Sequence, residues 1–370
     1  MTKVGREREQ SRGVGPGARS VPLAAVLATL TALTFARPAL SGERRGGSSV
    51  YPAASLAKEA PVRHLAAATP EKVNSFWTPQ RMRSAEPLPL PLADEVLRTL
   101  APSPVEQGTP GRIEPTEPVS ISPLSQAAVP GDTEPVARPA GTSFYWPRPY
   151  DSPPATTSGK IFFTQNGSKW VCSGTVVTSR NKSLVWTAGH CVIWDKRWDS
   201  KLAFCPGYDD QAVPACQYGK WPAKVLWTTA GWGSYGDFAY DLGAVVVQTR
   251  QTQPGKLANH VGSQGVAWNQ SANQTWMPLG YPQASPFDGG DLAGCEDSTQ
   301  RRYNYGTGGP FGMLIYCDMT GGSSGGGWHI DMSGGLGYVN SVASLGNGAG
   351  DLVGPYMGDA AAKLWKAAQR

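Results

Sequence analysis

Prolines and cysteines divide this chain of 370 residues into two parts of different character. Of its 32 prolines, 23 lie at or before Pro154, whereas all six cysteines and 11 of the 13 tryptophans lie beyond it. Proline removes a backbone hydrogen-bond donor and disfavours regular structure, whereas tryptophans and disulfides stabilise packed cores. We therefore predict one folded region at residues 155–370, which is long enough to bury a substantial core.

The first 41 residues are predicted to be a secretory signal. Five basic residues precede an apolar run at residues 21–36, and small residues follow that run. At about 16 residues the run is shorter than the ~20 that a membrane-spanning helix needs, although an uncleaved anchor remains the alternative. Residues 42–154 have no sustained hydrophobic period and are rich in Pro, Ala, Ser, Thr and Glu. This composition predicts a largely disordered pro-segment or linker.

The charge and the cysteines limit the classes of function. The net charge of +5 is shared by both halves and forms no basic stripe, which argues against a nucleic-acid partner. No later segment is apolar enough for stable membrane insertion, and we expect a monomer. Six cysteines in an exported chain favour disulfides over a metal site, and no Cys-x-x-Cys is present. Six cysteines allow fifteen pairings. Proximity in sequence predicts Cys172–Cys191, Cys205–Cys216 and Cys295–Cys317.

Short β-rich runs separated by Gly, Asn and Ser follow one another from residue 159 onward. The predicted strands lie at residues 160–164, 170–178, 183–187, 223–228, 242–249, 275–280, 313–317 and 335–341. Many short strands with turn residues between them predict an all-β sandwich or barrel. Helical periodicity occurs only near the C-terminus, where we predict a short packing helix at residues 360–368.

Three segments carry the residue types of nucleophilic catalysis. His190 ends an apolar run within Thr-Ala-Gly-His-Cys, and Ser324 lies within Gly-Ser-Ser-Gly-Gly. A histidine can accept the proton of a serine hydroxyl, and flanking glycines leave backbone N–H groups free to bind an oxyanion. Asp241 precedes a long apolar strand and would orient the histidine, a role for which Asp237 is the alternative. Ser323 is the alternative to Ser324 as the nucleophile. This chemistry requires neither a cofactor nor a metal.

The same motifs, over about residues 159–345, resemble those of the chymotrypsin-like serine peptidases. The Leu-Gly-Tyr-Pro sequence at 279–282 is similar to a segment of the bacterial secreted glutamyl-endopeptidase-like branch. The order His, Asp, Ser along the chain is that of this family and not of subtilisins or α/β-hydrolases. The resemblance implies an all-β fold of two six-stranded antiparallel Greek-key barrels packed with a cleft between them, followed by a short C-terminal helix.

The resemblance also implies a role for each site residue. The chain would be a secreted serine endopeptidase that acts through an acyl-enzyme, with His190 as general base, Asp241 as orienting residue and Ser324 as nucleophile. The backbone N–H groups of Gly322 and Ser324 would form the oxyanion hole. Ser323 stands where animal members carry an aspartate that pairs with a new N-terminal amine. We therefore expect the zymogen to be activated by signal removal and by loss of residues 42 to about 150.

Specificity is predicted from the segments on either side of the serine. Asp318 lies six residues before Ser324, where trypsin-like members carry the aspartate that selects Arg or Lys, although a solvated loop aspartate explains it equally well. Val339 and Asn340, on a strand that lacks the histidine used for glutamate selection, are predicted to complete the specificity pocket.

Proteins or peptides are the expected substrates, and the expected location is extracellular, in solution or associated with the cell wall. Two rival functions remain. A catalytically silent peptidase-like binding module of the cell surface would explain the tryptophans at positions 194, 198, 221, 227 and 232. An esterase would use the same acyl-enzyme chemistry.

Overall fold

Short strands dominate the computed structural model of this chain, which describes residues 53–88, 108–119, 141–248, 255–298, 301–347 and 350–370. The N-terminal elements are α1 (Ala53–Lys58), β1 (Pro61–Leu65), α2 (Pro70–Phe76), α3 (Pro79–Arg83), β2 (Glu86–Pro87), β3 (Gly111–Ile113) and β4 (Phe144–Tyr145). The middle elements are β5 (Ser158–Gln165), β6 (Ser168–Val177), β7 (Leu184–Thr187), β8 (Ile193–Trp194), β9 (Arg197–Trp198), β10 (Ser200–Pro206), β11 (Trp221–Thr229), α4 (Ala230–Gly233) and β12 (Gly243–Val247). The C-terminal elements are α5 (Leu257–Val261), β13 (Gly265–Trp268), β14 (Met277–Gly280), β15 (Ala293–Gly294), β16 (Arg301–Tyr303), β17 (Gly312–Tyr316), β18 (Gly327–Ser333), β19 (Leu336–Val342), β20 (Leu345–Gly346), β21 (Asp351–Gly354) and α6 (Asp359–Ala368).

Six of the middle strands close into an antiparallel barrel. The order around the barrel is β5, β6, β7, β12, β11 and β10, and β10 pairs again with β5. Closure gives every barrel strand a neighbour on both sides, although β10 pairs with β11 only at Trp221 and Pro222. The first of the two expected barrels is thereby confirmed. The predicted runs at 160–164 and 223–228 lie within β5 and β11, whereas β10 was not predicted.

Five strands of the C-terminal half form the centre of a second sheet, with β3 and β4 at its two ends, in the order β3, β13, β19, β18, β14, β15 and β4. Strands β16, β17, β21 and β20 form a further four-stranded sheet. The predicted C-terminal helix is α6, whose Leu364 is fully buried in the same hydrophobic cluster as residues of the barrel. Within the described ranges, no helix has the length and apolar character needed to span a membrane. The apolar run at 21–36 and the rest of the predicted signal lie outside those ranges.

Both faces of strand β5 are buried, and the alternation of its side chains explains how. Side chains of successive residues in a strand point to opposite faces. Ile161 and Phe163 belong to the hydrophobic core that the barrel encloses. Phe162, between them, belongs to a second apolar cluster, where its ring lies 5.6 Å from the ring of Trp77. An apolar layer therefore also covers the outer face of the barrel.

The cover over that outer face comes from residues 53–88, here called the N-terminal segment. Strand β1 pairs with β11 over five residues, and β2 pairs with β6. Helix α2 begins after Thr69, whose hydroxyl caps its first turn, and ends at Trp77, which is fully buried. The composition of residues 42–154 predicted a largely disordered chain. The N-terminal segment instead forms short helices and strands, because its apolar side chains are buried in a cluster that they share with the barrel.

The three disulfides join the cysteine pairs predicted from proximity in sequence. Cys172–Cys191 links β6 to the turn after β7, Cys205–Cys216 closes a short loop after β10, and Cys295–Cys317 joins β15 to the end of β17. Each bond restricts the unfolded chain and so stabilises the folded one.

Replacement of Trp77 by alanine is expected to lower the free energy of unfolding by about 3–5 kcal/mol, because it leaves a large cavity between the N-terminal segment and the barrel. The matched control is Leu65→Ala at the end of β1, where the side chain is 64% exposed; its effect should stay within about 0.5 kcal/mol. Urea unfolding monitored by circular dichroism measures both. Equal effects of the two substitutions would show that Trp77 is not part of the core.

Candidate functional site

His190 lies in a 3-10 turn that follows strand β7. The turn spans Gly189–Cys191, and the disulfide from Cys191 to Cys172 ties it to β6. Gly189 is required at its position because a Cβ atom there would lie 2.5 Å from the Trp232 ring. The histidine side chain is fully buried. The backbone around His190 is therefore held both covalently and by close packing.

Asp241 accepts three hydrogen bonds. Its Oδ1 accepts from the backbone N–H of His190 at 2.8 Å, and its Oδ2 lies 2.7 Å from His190 Nδ1. The hydroxyl of Ser344 donates to the same Oδ2 at 2.6 Å. Because a carboxylate can only accept, Nδ1 carries a proton, and in the neutral form of the ring Nε2 is the unprotonated, basic nitrogen. The arrangement fixes the tautomer that a general base requires.

Asp237, the competing aspartate, has a different role. Its Oδ1 accepts from the backbone N–H of Ala239 at 3.1 Å and from the Thr307 hydroxyl at 2.7 Å. Its Oδ2 pairs with the ammonium of Lys58 at 2.8 Å. Asp237 thus caps the 3-10 turn Phe238–Tyr240, which ends at Asp241. The choice of Asp241 as the partner of the histidine agrees with these contacts.

Ser324 lies in a tight glycine-rich turn against strands β6 and β7. Its carbonyl accepts from the backbone N–H of Ser173 at 2.7 Å. A Cβ atom on Gly325 would lie 2.0 Å from the Thr187 hydroxyl at the end of β7, so no larger residue fits there. The Ser324 hydroxyl and His190 Nε2 are both buried, and neither hydrogen-bonds to any described residue. Both groups therefore keep their hydrogen-bonding capacity.

Two backbone N–H groups of this turn are also free. Those of Gly322 and Ser324 donate to no group among the described residues. The carbonyl of Gly321 accepts from the N–H groups of Gln283 at 2.8 Å and Ala284 at 3.1 Å. In a trans peptide the C=O and N–H point in opposite directions, so these bonds aim the Gly322 N–H away from Gln283. The orientation of that N–H group is set without any ion pair.

Ser323 and Ser173 complete the support of the turn. The Ser323 hydroxyl donates to the carbonyl of Thr320 at 2.7 Å, a contact local to the turn. The Ser173 hydroxyl donates to the carbonyl of Gly322 at 2.9 Å and accepts from the N–H of Tyr281 at 2.8 Å. The segment at 279–282 is therefore bonded directly to the glycine-rich turn.

A buried lysine holds the side chain of Gln283. The Lys160 ammonium donates to Gln283 Oε1 at 2.6 Å and to the carbonyl of Gly289 at 2.8 Å. Burial lowers the pKa of Lys160 to about 7, although the nearby carboxylates of Asp210 and Asp288 oppose the shift.

The three residues predicted to set specificity have other contacts in the fold. Asp318 Oδ1 accepts from the backbone N–H of Ser143 at 2.9 Å. Val339 is fully buried in a hydrophobic cluster that also includes barrel residues, and the Asn340 amide donates to the carbonyl of Ala267 at 2.8 Å. Their assignment to a specificity pocket stays a prediction.

Aromatic residues surround one side of the histidine. The rings of Trp194 and Trp232 lie 6.3 Å and 6.1 Å from the His190 ring, both in edge-on geometry. These tryptophans, with Tyr235 and Phe238, line a cavity of about 550 Å³. Two of the tryptophans noted in the sequence therefore lie beside His190 and not in a separate binding surface.

Sequence reasoning missed Ser344, Ser173 and Gln283. Ser344 is 103 residues from Asp241, and no local pattern distinguishes it from neighbouring serines. Ser173 follows Cys172, which was singled out only for its disulfide. Gln283 follows the segment at 279–282, the one signal that could have indicated it.

Cys172, His190 and Cys191 meet the spacing of a metal site, since their ligand atoms lie within 4.8 Å of one another. Both sulfurs are joined in a disulfide, however, and a disulfide offers no thiolate. These residues do not fit a structural metal.

His329 is buried and does not join the site. Its Nδ1 lies 3.1 Å from the carbonyl of Met277 on the neighbouring strand β14. Burial lowers the pKa of His329 to about 4. The ring is therefore neutral in the folded protein at pH values where an unfolded histidine is charged.

The His329 pKa predicts a loss of stability in acid. Because the unfolded state binds this proton from about pH 6.5 and the folded state only near pH 4, stability falls across that window as the pH is lowered. Between pH 7.5 and 4.5 this one group should remove about 2–3 kcal/mol from the free energy of unfolding. Urea unfolding at both pH values measures how far the free energy of unfolding falls. In His329→Asn this fall should be smaller than in the unmodified protein by about 2–3 kcal/mol. The same drop in both proteins would contradict the assignment.

Comparison with known proteins finds similarity to solved protease structures. A protease called Anisep from Arthrobacter nicotinovorans is 40% identical, with a TM-score of 0.52 over 58% of this chain and 96% of that chain. A thermostable serine protease called AL20 from an extremophilic microorganism is 34% identical, with a TM-score of 0.53 over 60% of this chain and 99% of that chain. No protein-family model and no curated protein sequence matches the chain.

Proposed function

Because this chain belongs to the chymotrypsin-like serine protease family, we propose that it is a secreted serine endopeptidase that cleaves peptide bonds through an acyl-enzyme. The observation that carries the proposal is the buried His190–Asp241 pair, whose basic Nε2 has no described partner. The hydroxyl of Ser324 is buried and unpaired in the same way. A binding module would gain nothing from burying two such groups without partners, since each costs free energy.

In the proposed mechanism Ser324 is the nucleophile. Its Oγ attacks the scissile carbonyl carbon while its proton passes to His190 Nε2. Asp241 stabilises the imidazolium that forms. His190 then gives the proton to the leaving amine as the C–N bond breaks, which leaves the acyl group on Ser324. A water molecule, deprotonated by the same histidine, hydrolyses the ester and restores the enzyme.

The N–H groups of Gly322 and Ser324 are the proposed oxyanion hole. Both are free of other acceptors among the described residues, and contacts to the Gly321 carbonyl hold the first of them in orientation. One such preorganised donor contributes about 3–4 kcal/mol to transition-state stabilisation in comparable sites. Ser323 has no carboxylate for an ion pair with an N-terminal amine, so we infer that the hole forms without that switch.

The remaining assignments follow from family membership and are proposals too. Residues 1–41 would act as the secretory signal, residues 155–370 as the catalytic domain, and residues 42–154 as the segment processed during maturation of a zymogen. The two sheets of the C-terminal half would correspond to the second barrel of the fold. Asp318, Val339 and Asn340 are retained as candidate determinants of specificity, and extracellular proteins as the substrate class.

A fluorophosphonate is expected to label the purified protein at Ser324, because only an activated serine hydroxyl reacts with it. Peptide mapping by mass spectrometry identifies the site. His190→Ala should abolish labelling, whereas Ser323→Ala, the matched control one residue away, should leave the adduct on Ser324. Absence of labelling in correctly folded, disulfide-bonded protein would favour the silent binding module. Hydrolysis of esters but not of peptides would favour the esterase.

Removal of the Ser344 hydroxyl should slow the reaction, because Asp241 loses one of its three donors. We expect Ser344→Ala to lower kcat about tenfold, which corresponds to about 1.4 kcal/mol of transition-state stabilisation, with little change in KM. The control is Ser341→Ala, since that buried hydroxyl donates instead to the carbonyl of Pro355. Steady-state kinetics on a peptide substrate compares the two. Equal effects would refute a specific role for Ser344.

A further inference from the structure

We propose that the N-terminal segment, residues 53–88, stays bound to the catalytic domain in the active enzyme and is needed for full turnover. For residues 53–88, this proposal replaces the expectation that maturation discards residues 42 to about 150. The inference rests on the proposed peptidase function for its kinetic part only. Whether the segment stays bound is a question of packing.

Strand β1 completes an edge that the barrel leaves open. Strand β10 pairs with β11 only at Trp221 and Pro222. From Val225 to Thr229 the same edge of β11 pairs with β1. Without β1, five residues of a barrel strand would present an unpaired edge, which is an aggregation hazard that folded proteins avoid.

Trp77 covers an apolar outer face that water would otherwise reach. The indole packs on Phe162, and the cluster around it includes Val171 and Ala203 from barrel strands β6 and β10. Its Nε1–H donates to the carbonyl of Lys201 at 2.6 Å, so the polar atom of the ring is satisfied as well.

Polar contacts from the barrel bind the backbone of the segment. The ammonium of Lys220 donates to the carbonyls of Asn74 and Trp77, each at 2.8 Å, at the end of helix α2. A cation at that position also interacts favourably with the negative end of the helix. The segment is therefore anchored by charge as well as by apolar contact.

The first link to the catalytic machinery runs through Lys58. Its ammonium pairs with Asp237, whose carboxylate is almost fully buried. Asp237 caps the 3-10 turn Phe238–Tyr240, and the chain leaves that turn at Asp241. Loss of Lys58 would leave a buried charge uncompensated at the base of this turn. Lys58 is thus a positioning residue that acts through Asp237.

The second link runs through Gln283. Its amide donates to the carbonyl of Ala85 in the N-terminal segment at 2.8 Å, while its Oε1 accepts from Lys160. The backbone N–H of the same residue donates to the carbonyl of Gly321 and so orients the N–H of Gly322. The segment therefore contacts both the turn that carries Asp241 and the residue that supports the proposed oxyanion hole.

The first experiment cuts the chain without removing anything. A site for a sequence-specific protease is inserted between residues 98 and 99 of the full chain, and the cut protein is passed over a size-exclusion column. We expect the fragment containing residues 53–88 to elute together with the catalytic domain, with kcat unchanged by the cut. Separation of the two fragments under native conditions would overturn the proposal. This measurement of binding is independent of whether the protein is a peptidase.

The second experiment tests the positioning role. Lys58→Met should lower kcat about tenfold with KM nearly unchanged, because small displacements of catalytic groups cost rate and not binding. Lys58→Arg should restore most of the rate. The matched control is Lys363→Met on helix α6, which removes the ion pair with Glu59 of the segment and leaves the Lys58–Asp237 pair in place. Its kcat should stay within about twofold.

Equal kcat values for Lys58→Met and Lys363→Met would overturn the positioning role. The fluorophosphonate reaction of the unmodified protein separates this failure from failure of the proposed function. If the unmodified protein labels at Ser324 and Lys58→Met reacts as fast, only the inference about the segment is wrong. If the unmodified protein does not label, the peptidase function itself is wrong.

Discussion

The buried carboxylate of Asp241 is the group on which the organisation of this site depends. A carboxylate without solvent requires donors, and it receives them from the His190 backbone, the His190 ring and the Ser344 hydroxyl. These donors come from the turn after β7 and from the chain after β19. Hydrogen bonds to this one carboxylate therefore connect the barrel to the C-terminal half beside His190. The same contacts leave Nε2 as the only basic atom of the ring.

The barrel supplies rigidity around this pair. His190 follows β7 and Asp241 precedes β12, and these two strands are hydrogen-bonded neighbours from Gly243 opposite Thr187 onward. The ends of adjacent strands in a closed barrel have little freedom to separate. The disulfide at Cys191 and the close approach of Trp232 to Gly189 limit the remaining motion of the turn. A preorganised base costs no reorganisation at the moment of reaction.

A network of neutral hydrogen bonds holds the glycine-rich turn. The Gly321 carbonyl accepts hydrogen bonds from the N–H groups of Gln283 and Ala284. The Gly322 carbonyl accepts one from the Ser173 hydroxyl. Ser323 bonds locally to Thr320, so no buried charge needs compensation at this position. Gln283 in turn bonds to Ala85, which connects the turn to residues far upstream. The N-terminal segment is therefore part of the environment of the site and not only a cover on the barrel.

Much of this could be predicted from the sequence, because some signals are local. The strand runs, the three disulfides, the C-terminal helix and the motifs around His190 and Ser324 each depend on residues close together in the chain, where composition and spacing carry the information. The choice between Asp237 and Asp241, the role of Ser344 and the packing of Trp77 depended on contacts between residues 51 to 179 positions apart. Only the tertiary structure could decide them, since a short polar or apolar side chain acquires its partner when the barrel closes. The composition of residues 42–154, rich in proline and without a hydrophobic period, predicted a largely disordered segment. It could not reveal that Trp77 is buried in a cluster shared with the barrel.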